Sequence, residues 1–485
     1  MLFNSYVFIL AFLPITLIGY FALNHFHQNK AAKVWLVICS LFFYAYYNVA
    51  YLWVIISSMV ANYVLSFAFH KLEGKRSILR RVLFIFGLLL NVGALFFYKY
   101  LDFVLETANN FFNMDFVYLN LVLPLGISFF TIQQIAYLVD SYKGGAPVYN
   151  VLDYALFVTF FPQLIQGPIV LHDEIIPQFQ DESKIRFNSD NFAKGLYAFS
   201  LGLAKKVLLA DNLGKITSFG YSNLATLSSF EAVLTILAYT FQLYFDFSGY
   251  CDMANGISYM FNIELPINFN SPYKARNISD FWKRWHMTLT RFLTKYIYFP
   301  LGGSRCSAFR TCLNVLIVFL VSGIWHGAGF TFIVWGLMHG IAMVLYRLLK
   351  KWIDRVPYAV TWILTFIFVN ITWVFFRALT ISDAGLLISR VFSGGFLLQA
   401  EIVDTLMNII PVHVIKSILS FDGVLNAILI VLIFGLAIIC LCTKNVQERV
   451  KSFRPRIHNL LTTVFLLVWC ILSLSGVSTF LYVNF

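Results

Sequence analysis

Apolar runs recur along the chain at about 2–24, 34–48, 49–69, 82–101, 120–139, 229–247, 311–325, 327–346, 358–376, 421–442 and 459–481, separated by short polar joints. Several approach the roughly 20 residues that a helix needs to cross a bilayer, while others are interrupted by Gly and Pro. The pattern predicts an all-α, polytopic membrane protein of about 11 transmembrane helices, with re-entrant and interfacial helices among them. No soluble module interrupts the pattern, so residues 1–485 read as one membrane domain. Within it, 1–118 read as peripheral helices with aromatic-rich ends, 119–346 as the core that carries any chemistry, and 347–485 as C-terminal helices.

The middle third is both more polar and more broken. Pro124 and Gly126, then Pro162, Gly167 and Pro168, then Pro266 and Pro272, then Pro300, Gly302 and Gly303 all fall in or beside apolar stretches. Backbone interrupted at membrane depth is tolerated where it lines a cavity or is buried in protein, so these breaks predict re-entrant segments around an internal, wettable space. The stretch 184–215 alternates Lys194, Lys205 and Lys206 with Phe192, Leu196, Phe199 and Leu203, which predicts an amphipathic helix lying in the interface. Residues 396–420 match no pattern.

Charge sets the expected orientation. Only 12% of the residues are charged, about half the share of a soluble domain. The net charge of +12 sits mostly at the ends of apolar runs, a placement suited to anionic membrane lipid and not to a nucleic-acid groove. No cleavable signal peptide is expected, because the first positive charge, Lys30, follows the first apolar run. Basic clusters at Lys30 and Lys33, Lys71–Arg81, Arg347–Arg355 and Lys444–Arg456 place Lys75, Lys351 and Lys451 in the cytoplasm by the positive-inside rule. The N-terminus and Phe485 then lie outside. Between 139 and 347 the runs are odd in number, so this parity needs one re-entrant run or one additional span. Seven scattered cysteines show no metal spacing and read as small buried hydrophobes.

Two histidines beside tryptophans are the candidates for chemistry. His326 follows Trp325 in the Gly-rich break GIWHGAG; His286 follows Trp285 in FWKRWH, which also holds Trp282. A titratable ring at that depth is costly and is more often kept for function than for folding. Placed on one helix, Asp280 to Ile297 separates into a charged stripe of Asp280, Arg284, Arg291 and Lys295 and an apolar one, with His286 opposite the cations. Arg284, Arg291 and Lys295 are then candidates to meet the phosphates of a ligand, or else snorkelling side chains at headgroups. Gln133, Tyr137 and Asp140 share one helical face; Ser248, Asp252 and Asn255 share another, with Asp246 opposite. These polar groups read either as interhelical hydrogen-bond partners or as orienting groups behind an imidazole. His339 reads as structural.

No GxSxG elbow, P-loop, dinucleotide fingerprint or HExxH occurs, and no metal site is expected. A base without a protein nucleophile suggests direct transfer between two bound substrates. WHG, FWKRWH, YFDFSGYCDMANG, NFNSPY, YFPLGGSR, GISFFTIQQIAYLVD, FFPQLIQGPI and WVFFRA together resemble the membrane-bound O-acyltransferases. The resemblance is to the bacterial branch of the alginate O-acetylation and teichoic-acid D-alanylation proteins, nearer to the former. It implies a ring of membrane helices around a thin centre pierced by a funnel or tunnel, with His326 and His286 as the branch's two histidines. It also implies a cytoplasmic thioester donor (acetyl-CoA, another acyl-CoA or an acyl carrier), no bound cofactor, a bacterial cell-membrane location and an extracytoplasmic SGNH-type O-acetyltransferase partner. The acceptor implied is an exported polysaccharide of the alginate, cellulose or peptidoglycan type. D-alanyl or longer-acyl transfer to teichoic acid is the near alternative; a transporter or flippase, or an assembly scaffold, is the alternative without bond chemistry. A transporter usually carries paired broken helices in two related halves, and no internal repeat is visible here.

Overall fold

A computed structural model of the chain describes residues 1–73, 78–395, 424–474 and 480–481. Lys75, Phe485 and the unpatterned stretch 396–420 lie outside the described residues. Every regular element among those described is helical. Among the described residues six helices are long and apolar enough to cross a membrane: Phe8–His25, Tyr51–Lys71, Ile78–Phe112, Ala308–His326, Phe330–Ile353 and Tyr358–Arg377. They turn Val60, Leu89, Ile324, Leu345 and Leu364 outward, as lipid-facing helices do.

The runs at 120–139 and 229–247 have a different fate. They form Ile127–Tyr142 and Ser229–Met260, whose side chains are buried almost all round. A helix hydrophobic on every side belongs inside the bundle. Ser229–Met260, 32 residues long, spans about 48 Å at 1.5 Å per residue. Ser228 and Glu231 close its first turn as a capping box.

Its partner is the stretch expected at the interface. Ser189–Ala204 packs into the core, because glycines face glycines there. A Cβ at Gly256 would lie 2.7 Å from the Gly195 carbonyl oxygen, and one at Gly202 would lie 2.7 Å from that of Gly249. Close backbone approach of this kind is how small residues join membrane helices. The interfacial reading of 184–215 is therefore corrected for this segment. The two lysines that follow it are paired within the protein: Lys206 with Asp246 at 2.7 Å and Asp211 at 2.9 Å, and Lys205 with Asp252 at 2.7 Å. Residues 480–481 complete this network. The Leu481 amide donates to Asp246 at 2.9 Å, and the Phe480 ring lies under Lys206 and against Tyr250.

The broken segments form a layer of short helices and irregular backbone, turned by residues with left-handed φ at Gly126, Asn262, Ser271 and His286. Basic segments converge on this layer. Lys33 pairs with Asp153, which also accepts from Gln180; Arg80 donates to the Tyr142 carbonyl; Arg276 donates to those of Asp354 and Val356; Lys274 donates to that of Thr443.

Candidate active site

The helix Ala308–His326 ends on the imidazole of interest. It returns as Phe330–Ile353, and the two are drawn together by Gly323 and Gly336, where an added Cβ would lie 2.4 Å from the Phe332 carbonyl oxygen and 2.5 Å from that of Phe319. Gly327 has no room for a side chain either, since its Cβ would fall 2.1 Å from the Phe332 ring. The glycines of GIWHGAG thus serve the tight return that leaves His326 at a helix end.

His326 is buried, and its Nδ1 lies 2.6 Å from the Ser322 carbonyl oxygen. A carbonyl only accepts, so Nδ1 carries the proton and the neutral ring keeps its lone pair at Nε2. Trp325 and Trp335 each stand with ring centroids 4.9 Å from it, and Phe376 at 5.4 Å. Beneath, Lys99 donates to the carbonyls of Trp325 (2.7 Å) and His326 (3.1 Å) and to Ser128 Oγ (3.3 Å). A cation at the negative end of a helix is favourable, and this one also satisfies carbonyls that the helix leaves open.

The continuous helix expected over Asp280–Ile297 is not formed. Ile278–Trp282 stops, and Met287–Leu293 begins after His286, which stands at φ 45°, ψ 51°. A β-carbon in the left-handed region costs about 1–2 kcal/mol. The neighbours that hold it there are on the irregular segment 261–271. Asn268 Oδ1 accepts from His286 Nδ1 (3.2 Å), the Thr288 amide (3.2 Å) and Thr288 Oγ1 (2.9 Å), while the Asn268 carbonyl accepts from the Met287 amide at 3.0 Å. Nδ1 is again the protonated nitrogen.

The two imidazoles meet. Their centroids are 6.2 Å apart at an interplanar angle of 80°, with Trp325 6.1 Å from His286. Both keep Nε2 as the basic atom, inside a wall of tryptophan and phenylalanine. His339 lies on the far side of Trp335, and its Nδ1 accepts from Trp282 Nε1 at 3.3 Å.

The remaining candidates divide by position. Trp282 lines a cleft of about 430 Å³ together with Lys283, Met287, Thr290, Arg291, Thr294, Lys295 and Phe299. Arg284 stands outside it, paired with Asp280 at 2.8 Å. Arg291 is held by Glu174 and the Ile169 carbonyl, and Lys295 by Asp140 at 2.9 Å. The single charged stripe expected for these residues is therefore broken with the helix, and each cation has a carboxylate partner. Trp285 packs in an aromatic cluster, stacked on Phe281, edge-on to Phe269 and tilted against Trp373. Asp246 and Asp252 serve the lysines already described, Ser248 accepts from Lys205, and none of the three has a contact with either imidazole among those described. Asn255 is buried, with its Oδ1 unbonded. Gln133 donates to the Val170 carbonyl and Tyr137 to Ser66; Asp140 accepts from Lys295, Tyr296 (2.6 Å) and His172 (3.3 Å). Asn268 and Ser322, which hold the imidazoles, and Lys99, which holds the backbone at His326, were not among the expected residues.

The profile of the MBOAT, membrane-bound O-acyltransferase family, matches residues 103–381. A peptidoglycan O-acetyltransferase of Helicobacter pylori is 48% identical over 414 residues, covering 79% of this chain and 78% of the relative. The chain belongs to the MBOAT family. As an MBOAT protein it is a multi-pass membrane acyltransferase, which removes the transporter and scaffold readings. The probable alginate O-acetylase AlgI of Pseudomonas aeruginosa is 37% identical over 401 residues, covering 81% of this chain and 75% of the relative. The teichoic acid D-alanyltransferase of Bacillus subtilis is more distant, at 28% over 247 residues, 48% of this chain and 61% of the relative. The MBOAT match spans both histidines, Asn268 and Phe376; Lys99 lies just ahead of it.

Proposed function

We propose that this MBOAT protein O-acetylates an exported cell-surface polysaccharide, with peptidoglycan the favoured acceptor and His326 the general base. The acceptor rests on the 48% identity with the peptidoglycan enzyme, against 37% for the alginate type. The role of His326 rests on its geometry: Nδ1 is fixed on the Ser322 carbonyl, which leaves the ring's lone pair on Nε2, and the His286 ring stands 6.2 Å away. In the reaction, the acceptor hydroxyl oxygen attacks the thioester carbonyl while Nε2 takes its proton. The carbon–sulfur bond then breaks, and the proton passes to the departing thiolate, giving an ester and a free thiol. His286, with its own Nε2 lone pair, supports the carbonyl side of the site or relays the proton.

The donor is an acyl thioester, acetyl-CoA or a carrier-bound acetyl group, entering from the cytoplasm through the cleft beside Trp282. Arg291 and Lys295 line that cleft and would share their charge between Glu174 or Asp140 and the donor's phosphates; Arg284 supports it only from outside. The layer on which the basic segments converge is taken as the cytoplasmic side of a bacterial cell membrane. Where an extracytoplasmic SGNH-type partner takes part, the hydroxyl acetylated in this step would be the partner's, and the partner would pass the acetyl group on to the polysaccharide. D-alanyl transfer is the second reading, supported by lower identity over half the chain.

The test uses protein reconstituted in vesicles with labelled acetyl-CoA on one side and a soluble glycan acceptor on the other. Ester formation should fall by about 10²–10⁴-fold in His326→Ala, with the folded protein retained. Near-full activity in that variant would remove His326 from the chemistry. Ester formed only from a D-alanyl carrier would replace the donor.

A further inference from the structure

A second cleft, of about 400 Å³, lies away from the histidines and is lined by Tyr197, Lys444, Arg449, Phe453, His458 and Asn459, with Thr443 and Ser452 at its edge. We propose that this cleft binds the phosphate headgroup of an anionic membrane phospholipid. The proposal stands independently of the acyl-transfer reading.

Three observations carry it. First, the charge is unopposed. Residues 443–459 hold Lys444, Arg449, Lys451, Arg454, Arg456 and His458 against one carboxylate, Glu448. None of the ion pairs among the described residues involves Lys444 or Arg449. This contrasts with the buried lysines and with Arg284, Arg291 and Lys295, each matched to a carboxylate.

Second, the cations are pre-arranged. Arg449 donates from Nε to the Lys444 carbonyl at 3.1 Å and from its terminal nitrogen to Thr443 Oγ1 at 3.4 Å, which fixes its guanidinium beside the loop that carries Lys444. Tyr197 and Phe453, with ring centroids 5.3 Å apart, form a floor. An arginine with donors to spare and a nearby ammonium suit a phosphodiester.

Third, the walls are those of lipid-facing helices. The cleft opens where Val424–Cys442 ends and Ile457–Leu472 begins. The former exposes Leu436, Ile438 and Ile439 near that end; the latter exposes Ile457, Leu460, Leu461 and Val464. A small soluble anion has no use for such walls, whereas a phospholipid places its head on the cations and its chains along the helices. The site also connects inward. Asn445 donates to Asn270 at 2.9 Å, whose amide donates to the Arg284 carbonyl, and Gln447 donates to Asp252 at 3.0 Å. Occupancy would thus steady the loop behind the histidine-bearing segment.

The full-length protein, purified in detergent, is incubated with phosphatidylglycerol, with phosphatidylcholine or with inorganic phosphate, and retained lipid is read by native mass spectrometry alongside thermal stability. Wild type should retain phosphatidylglycerol and gain stability, with neither effect from phosphatidylcholine or inorganic phosphate. Lys444→Gln should weaken retention about five-fold, and Lys444→Gln with Arg449→Gln further still. Lys444 contributes only its carbonyl to the hydrogen bonds described, so the single variant keeps the fold testable. Lys451→Gln, a cation outside the cleft, should change little. Equal retention in the double variant, an equal loss in Lys451→Gln, or stabilisation by inorganic phosphate matching that by the lipid would each overturn the proposal.

Discussion

Lys99 Nζ lies 3.1 Å from the carbonyl oxygen of His326, the residue whose imidazole it never touches in the described contacts. The ammonium fastens the backbone at the helix end and leaves the ring to Ser322. Lys99→Met should therefore lower turnover by about ten- to a hundred-fold, the scale of a lost charged hydrogen bond, with a smaller change in donor KM. Lys99→Arg, which keeps the charge, should recover part of the loss. Unchanged kinetics in Lys99→Met would mean that the helix end is held well enough without it.

Asn268 should matter as much as the histidine it holds. Its side-chain oxygen serves three donors at the left-handed turn, so Asn268→Ala leaves a buried imidazole and Thr288 without their acceptor. We expect a loss of about 1–3 kcal/mol in stability together with most of the activity. Asn268→Asp, which keeps the acceptor, should retain more of both. Thermal unfolding in detergent and ester formation measured on the same samples separate the two effects. His286→Gly relieves the backbone strain while removing the ring, so activity lost without stability lost would assign the ring to chemistry.

The buried pair Lys206 and Asp246 makes a different prediction. Lys206→Met leaves carboxylates in the core without their cation and should cost about 3–5 kcal/mol. Lys206→Met combined with Asp246→Leu should recover much of it, because an apolar pair can replace a buried ionic one. A double variant no more stable than the single one would show that Asp211 and the Leu481 amide dominate the balance.

Orientation is tested by cysteine labelling. With native cysteines replaced, single cysteines at positions 75, 351 and 451 should resist an impermeant maleimide in intact cells, and one at 485 should react. Labelling at 351 or 451 from outside would reverse the side assigned to the basic layer.

The membrane class, the six long apolar helices and the pair of histidines were legible because each leaves a mark in one stretch of sequence: a long apolar run, or an imidazole among glycine and tryptophan. The runs at 120–139 and 229–247 looked alike to hydropathy, yet they are interior helices; length and apolarity do not say whether lipid or protein lies outside. The break at His286 was hidden, since nothing in FWKRWH stops a helix by propensity. It is imposed from outside by Asn268, which stood in the quoted motif NFNSPY without a role. Lys99 was hidden for another reason. It sits within a run that reads as lipid-facing, and its two nearest acceptors are backbone carbonyls 226 and 227 positions away. Backbone partners have no side-chain signature.

The contact between Leu481 and Asp246 bridges 235 positions. During synthesis the central helix must therefore wait, inserted but with one carboxylate oxygen lacking that donor, until the ribosome has released residues 480–481. The order of translation makes this contact a late lock, and a chain interrupted before residues 480–481 would leave that carboxylate oxygen without this donor in the core.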